Sequence, residues 1–159
     1  MNNRHLQLLL GWVSSLGALA ILLVTINSIG CNYEMRVSSK ESDYYGVCRF
    51  GKLTVLERDH HTKALWRVSA YQAVIGDQLI FWVTDRTPIQ HAVKPSNLED
   101  YNQVQSSLNM PLNYGWKMIT PSHIAIFQHS PHPEITQGHF EGWLDFYHRF
   151  WPATPVHPQ

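Results

Sequence analysis

An excess of charge of either sign is missing from this chain. Lys plus Arg and Asp plus Glu number 12 each in 159 residues, so no basic surface invites nucleic acid and no acidic tail is present. Catalytic signatures are missing too. There is no HExxH for a zinc hydrolase, no GxSxG nucleophile elbow and no glycine-rich phosphate loop. Glu99 and Asp100 form the one adjacent carboxylate pair on a predicted helix, where they read as an exposed pair favoured by the helix dipole. Cysteine is scarce: Cys31 and Cys48 are the only two, and neither sits in a setting that suggests a nucleophile. Internal repeats and low-complexity segments are also absent. These gaps point away from an enzyme and predict no cofactor.

What the chain does have is residues 6–29, LQLLLGWVSSLGALAILLVTINSI, without one charged residue. A hydrocarbon core about 30 Å thick needs roughly 20 apolar residues in a helix, and this run supplies them. It is longer than the h-region of a cleavable signal, about 7–15 residues, which favours an uncleaved signal anchor. Gly11, Ser14, Ser15 and Ala18 recur at i, i+3, i+4 and i+7, a small-residue face on which another membrane helix could pack. The expected organisation is a cytoplasmic tail 1–5, the span 6–29, a polar tether 30–45, a β-rich domain 46–151 and a flexible tail 152–159.

Orientation draws on opposing signals. Arg4 precedes the span, whereas Arg36, Lys40, Arg49 and Lys52 follow it, which the positive-inside rule does not reward for an exported domain. The short tail and the cysteine pair favour export, because a pair closing a short loop suits an oxidising compartment. The expected location is a bacterial inner membrane, crossed once, with the C-terminal domain in the periplasm. For the cysteines themselves two readings stand beside free thiols. A Cys31–Cys48 disulfide would contribute about 3 kcal/mol by loop closure. Lipidation of Cys31 would need a lipobox, yet Ser28 occupies the apolar position three residues before it.

The remaining 130 or so residues suffice for one domain. GKLTVLER (51–58) reads as a strand, 63–75 alternates with Trp66, Val68 and Ala70 on one face, and Gly76-Asp77 turns into the apolar run QLIFWVT. The segment 85–95 reads as a loop. Ser96 and Glu99 have capping-box spacing, predicting a helix with Leu98, Tyr101 and Leu108 inward that Pro111 stops. Short strands at 116–120 and 123–129 follow. In 140–151, Phe140, Trp143, Leu144, Tyr147 and Trp151 recur with helical spacing, predicting an amphipathic helix. The fold class is α+β: a transmembrane helix, then a curved antiparallel sheet or barrel-like domain with one or two helices.

Ten histidines raise the question of a metal. The adjacent His60 and His61 would point to opposite sides of a strand, and His129 and His132 lie in a proline-containing loop. Neither pair has a recognised ligand spacing. His123, His139 and His148 are isolated, and cysteines that pair with each other cannot serve as thiolates, so no metal ligand is assigned. The six tryptophans are more than a small core needs. Trp66, Trp82 and Trp143 suit the core, while Tyr71, Trp82, Trp116, Tyr147 and Trp151 are the candidates for contact with a ligand or partner.

The minimal tail 1–5, the single span 6–29 and an exported β-rich domain containing GDQLIFWV resemble the ToxS-like companions of membrane-bound winged-helix transcription regulators. That resemblance implies a non-catalytic, membrane-anchored accessory protein in a hetero-oligomer with a membrane-protein partner. It also implies a β-barrel pocket for an amphipathic small molecule, such as the bile salts some of these pairs take. Two other assignments stand beside it: a structural or assembly subunit of an envelope secretion or conjugation complex, and a histidine-site metalloprotein.

Overall fold

The computed structural model describes residues 3–92, 97–108, 110–129, 133–152 and 154. Helix α1 (Asn3–Ile29) projects away from the rest of the chain, and its segment His5–Ile29 is long and apolar enough to cross a membrane, with mean hydropathy 2.2. Eight antiparallel strands follow: β1 (Asn32–Ser38), β2 (Ser42–Arg49), β3 (Lys52–Asp59), β4 (Leu65–Ile75), β5 (Gln78–Gln90), β6 (Leu112–Thr120), β7 (His123–Gln128) and β8 (Glu134–Trp143). Each pairs with the next, and β8 returns to β1, closing an up-and-down barrel. Helix α2 (Asn97–Leu108) lies between β5 and β6, and the short helix α3 (Phe146–Phe150) follows β8. Closure gives every strand a neighbour on both sides.

The expected tether at 30–45 is instead β1 and the start of β2. Tyr33, Met35 and Val37 point inward and are buried, while Arg36 and Ser38 face out. The polar run from Ser38 to Asp43 is the turn joining the two strands. The expected loop at 85–90 is likewise strand, the upper part of β5.

The expected helix 140–151 is mostly strand. Phe140 faces the barrel interior with Thr136 and Gly138, and only Phe146–Phe150 is helical. Barrel closure decides the matter, because β8 must pass hard against β1. A Cβ on Gly138 would strike the Val37 side chain at 2.6 Å, and one on Gly142, at φ +111°, would lie 2.8 Å from Tyr33 Cα. Asp145 then caps α3, accepting from the His148 backbone N–H at 2.7 Å.

The barrel is unequal along its axis. The turns after β2, β4 and β6 share the base with α1 and α3, and α2 sits at the opposite end. The base half is packed solid by Tyr33, Leu79, Ile124, Phe140 and Leu144. The Tyr33 hydroxyl donates to Gln72 Oε1 at 2.6 Å, and the Gln72 amide donates to the Leu144 carbonyl at 2.7 Å, so the polar atoms buried there are paired.

Helix α1 is fastened to this base. The Val74 N–H donates to Ser28 Oγ (3.1 Å) and Trp143 Nε1 donates to the Gly30 carbonyl (2.8 Å). A Cβ on Gly30 would strike the Phe146 ring and lie 2.6 Å from its backbone nitrogen. Cys31 and Cys48 stand as a disulfide pair, with Cα atoms 5.8 Å apart, where α1 meets the barrel.

The expected cap at Ser96 with Glu99, the inward Leu98, His132 and most of the tail 152–159 lie outside the described residues or their described side chains.

Candidate functional site in the barrel interior

Above the packed base the barrel encloses a cavity of about 110 Å³. Its walls are mostly apolar, among them Val55, Val68, Ala70, Phe81, Val83 and Leu112, and its polar end is formed by Glu57, Arg86, Tyr44, Tyr101 and Tyr114. The volume approaches that of cavities which hold a benzene-sized molecule, about 150 Å³. Eight-stranded barrels are at the size where side chains either fill the interior or leave room for one small ligand.

Four strands and one helix build the polar end, with Tyr44 from β2 and Tyr114 from β6. Glu57 continues the inward face of β3 after Leu53 and Val55. Arg86 comes from β5, where pairing with β4 slips: Val83 faces Ala70, but Asp85 faces Ser69. Thr84 is thus an extra residue that reverses the alternation, as a β-bulge does, and turns Arg86 inward. Asn102, fully buried, reaches in from α2.

Glu57 and Arg86 are 5% and 8% exposed, and Arg86 Nη1 lies 3.6 Å from Glu57 Oε2. Arg86 Nη1 also donates to Asn102 Oδ1, and its guanidinium lies 5.8 Å from the centre of the Tyr101 ring. The Asn102 amide nitrogen stands near the Glu57 carboxylate and favours its charged form, without completing a well-formed hydrogen bond. Burial is the stronger influence and raises the Glu57 pKa, with Arg86, Asn102 and Tyr44 opposing it. Burial also raises the hydroxyl pKa of Tyr44 and Tyr114, so both are neutral donors at physiological pH.

The network is incomplete. Arg86 Nε and Asn102 Nδ2 are buried donors without an acceptor, and Gln105 Oε1 on the same helix is a buried acceptor without a donor. Each such group costs about 1–3 kcal/mol. A buried ion pair is also often no better for stability than apolar side chains of similar volume. The end of this barrel is therefore shaped by something other than maximal stability.

Helix α2 is a lightly held wall. β6 pairs with β5 only at Gln78, Leu79, Ile80 and Phe81, and α2 packs on β5 above that seam. Of its apolar side chains Val104 and Leu108 are exposed, which corrects the expected inward Leu108. Among its described side chains, Tyr101 and the polar Asn102 hold the helix to the barrel.

The five aromatic candidates divide among three places. Tyr71 and Trp82 are cross-strand partners on the outer face of β4 and β5, 58% and 64% exposed. Trp82 is therefore not a core residue, because it follows Phe81 and takes the opposite face. Trp116 is 4% exposed and lies in the core, its Nε1 donating to the Gly76 carbonyl at 3.2 Å. Tyr147 and Trp151 stack at 5.5 Å near α3, both exposed. Trp66 is buried as expected, and Trp143 is half-buried against Gly30. On α1, Gly11 is open to contact, while the Ser15 hydroxyl donates to the Gly11 carbonyl at 2.9 Å.

Among the described residues, no three His, Cys, Asp or Glu side chains converge on a position that could hold a metal. Sequence reasoning missed Glu57, Arg86 and Asn102. Glu57 was within reach, since it keeps parity with Leu53 and Val55. Arg86 was not, because the bulge at Thr84 is set by strand pairing. No family model, curated protein or solved structure matches the chain.

Proposed function

We propose that this protein is a non-catalytic, membrane-anchored accessory protein whose barrel binds a small amphipathic molecule. Its occupancy would be relayed to a membrane partner. The observation that carries this reading is the apolar cavity with the buried Glu57–Arg86 pair and the hydroxyls of Tyr44, Tyr101 and Tyr114 at one end. A ligand with an apolar body and a polar head would fill the apolar part and meet that end. Larger molecules would enter past α2.

The exposed Tyr71–Trp82 pair is the partner-facing surface in this proposal, since aromatic side chains are enriched at interfaces. The resemblance to ToxS-like companions suggests a membrane-bound transcription regulator as partner. The Cys31–Cys48 pair supports an oxidising compartment, hence a periplasmic barrel.

The test is titration of the full-length protein with benzoate, which suits the cavity volume, and with the longer octanoate. Saturable changes in tryptophan fluorescence and a raised Tm are expected. Ala70→Leu, which grows into the cavity, should fold and lose both responses. No saturable response from either probe, or an unchanged response in Ala70→Leu, would overturn the ligand reading. Co-purification from native membranes tests the partner: one dominant single-span regulator is expected, and a many-subunit envelope assembly would favour a structural role.

A further inference from the structure

We infer that the base of the barrel seats directly on the bilayer, with the β2–β3 turn and α3 inserted at the lipid headgroup level on either side of the anchor. The inference rests on α1 crossing the membrane and is independent of any ligand. At about 1.5 Å per residue the apolar stretch 6–26 reaches about 31 Å, matching a hydrocarbon core of about 30 Å. Asn27 then lies at the edge of the hydrocarbon, and whatever is fixed beside residues 27–31 lies in the headgroup layer.

Two exposed aromatic groups are fixed there. The Phe50 N–H donates to the Cys31 carbonyl at 3.2 Å, and the adjoining Gly51 has its Cβ direction 3.3 Å from Ile29 Cα. This holds Phe50, 83% exposed, alongside the end of α1. On α3, the Tyr147 N–H donates to Asn27 Oδ1 at 2.8 Å, which places exposed Tyr147, Phe150 and Trp151 at the same level.

The chemistry suits lipid better than water. Large aromatics with polar tips concentrate at membrane interfaces. Arg149 lies over the Trp143 and Phe150 rings, at 5.0 and 5.6 Å, where its aliphatic stem can cover apolar surface while its charge reaches phosphate. The polar residues at the C-terminal end of α1 do not oppose insertion, because Ser28 is buried against β4 and the Asn27 side chain is bonded to α3 and its cap.

The experiment uses the full-length protein in phosphatidylcholine vesicles, with the native disulfide intact and single spin labels at Phe50→Cys, Phe150→Cys, Glu41→Cys and Leu16→Cys. Collision with oxygen, which prefers lipid, is compared with collision with a water-soluble nickel chelate. The expected result is a lipid-like ratio at 16, a several-fold higher ratio at 50 and 150 than at 41, and a water-like ratio at 41, which lies in the β1–β2 turn at the far end. A lipid-like 16 with 50 and 150 as water-accessible as 41 would overturn the seating and leave the span intact. A water-like 16 would overturn both.

Discussion

Asn27 and Asp145, 118 positions apart in sequence, are joined by a 2.8 Å hydrogen bond from the Asn27 amide to the Asp145 carboxylate. Asn27 lies in the last turn of α1, and Asp145 is the buried cap of α3. The same Asn27 accepts from the Tyr147 N–H. One carboxamide therefore locks the last turn of α1 to the chain segment that leaves the barrel. Helix α1 is part of the barrel's base and not a leash for it.

Replacing Asn27 with Ala removes both bonds and leaves the buried Asp145 carboxylate with one partner fewer. The expected loss is about 1–3 kcal/mol, read as a lower Tm of the full-length protein. An unchanged Tm would mean that the two Asn27 bonds contribute nothing to the stability of the base.

Glu57 and Arg86 should behave as a coupled pair. Removing one partner, as Arg86→Met or Glu57→Gln, is expected to cost about 3–5 kcal/mol where it leaves a buried charge alone. The double variant, with both groups neutral, should recover much of that loss. Urea unfolding of the four proteins gives the coupling energy directly, and strict additivity would show that the two side chains do not interact.

Glu57 also sets a pH dependence. Its folded pKa is raised by burial, so the folded state holds this proton more tightly than the unfolded chain does. Its stabilising contribution is complete below the ordinary glutamate pKa and is lost as pH rises through the higher folded value. The stability of the native protein relative to Glu57→Gln should therefore increase as pH falls through that window, by no more than about 1.4 kcal/mol per pH unit. A difference that grows with rising pH would mean that Arg86 outweighs the burial.

Reduction of the Cys31–Cys48 pair, 17 residues apart in sequence, is expected to cost about 3 kcal/mol. Thermal melts with and without reductant, and of Cys31→Ser/Cys48→Ser, should agree. Because Cys31 directly follows α1, the loss should show first at the base, as faster amide exchange at Gly51 and Gln72, whose backbones bond there.

Much of the β-domain was legible residue by residue. Trp66, Val68 and Ala70 alternate as a half-buried strand must, and Gly76-Asp77 turns into the apolar start of β5. The same alternation was present in Tyr33, Met35 and Val37, but Glu34, Arg36 and the polar turn beyond masked it as a tether. In 140–151 two periods coincide, since Phe140 and Leu144 satisfy a helix while Thr136, Gly138 and Phe140 satisfy a strand. Local spacing could not choose between them.

The sequence by itself determined the apolar, uncharged helix, the antiparallel strands and the candidate disulfide pair, because each is a property of neighbours along the chain. Only the tertiary structure decided that eight strands close on themselves, that β8 is a strand, and that Glu57, Arg86 and Asn102 meet. Those outcomes depend on β1 finding β8 across more than 90 residues and on a bulge at Thr84 set by its neighbour strand. Pairing between distant segments sets parity and closure, and no window along the chain contains both partners.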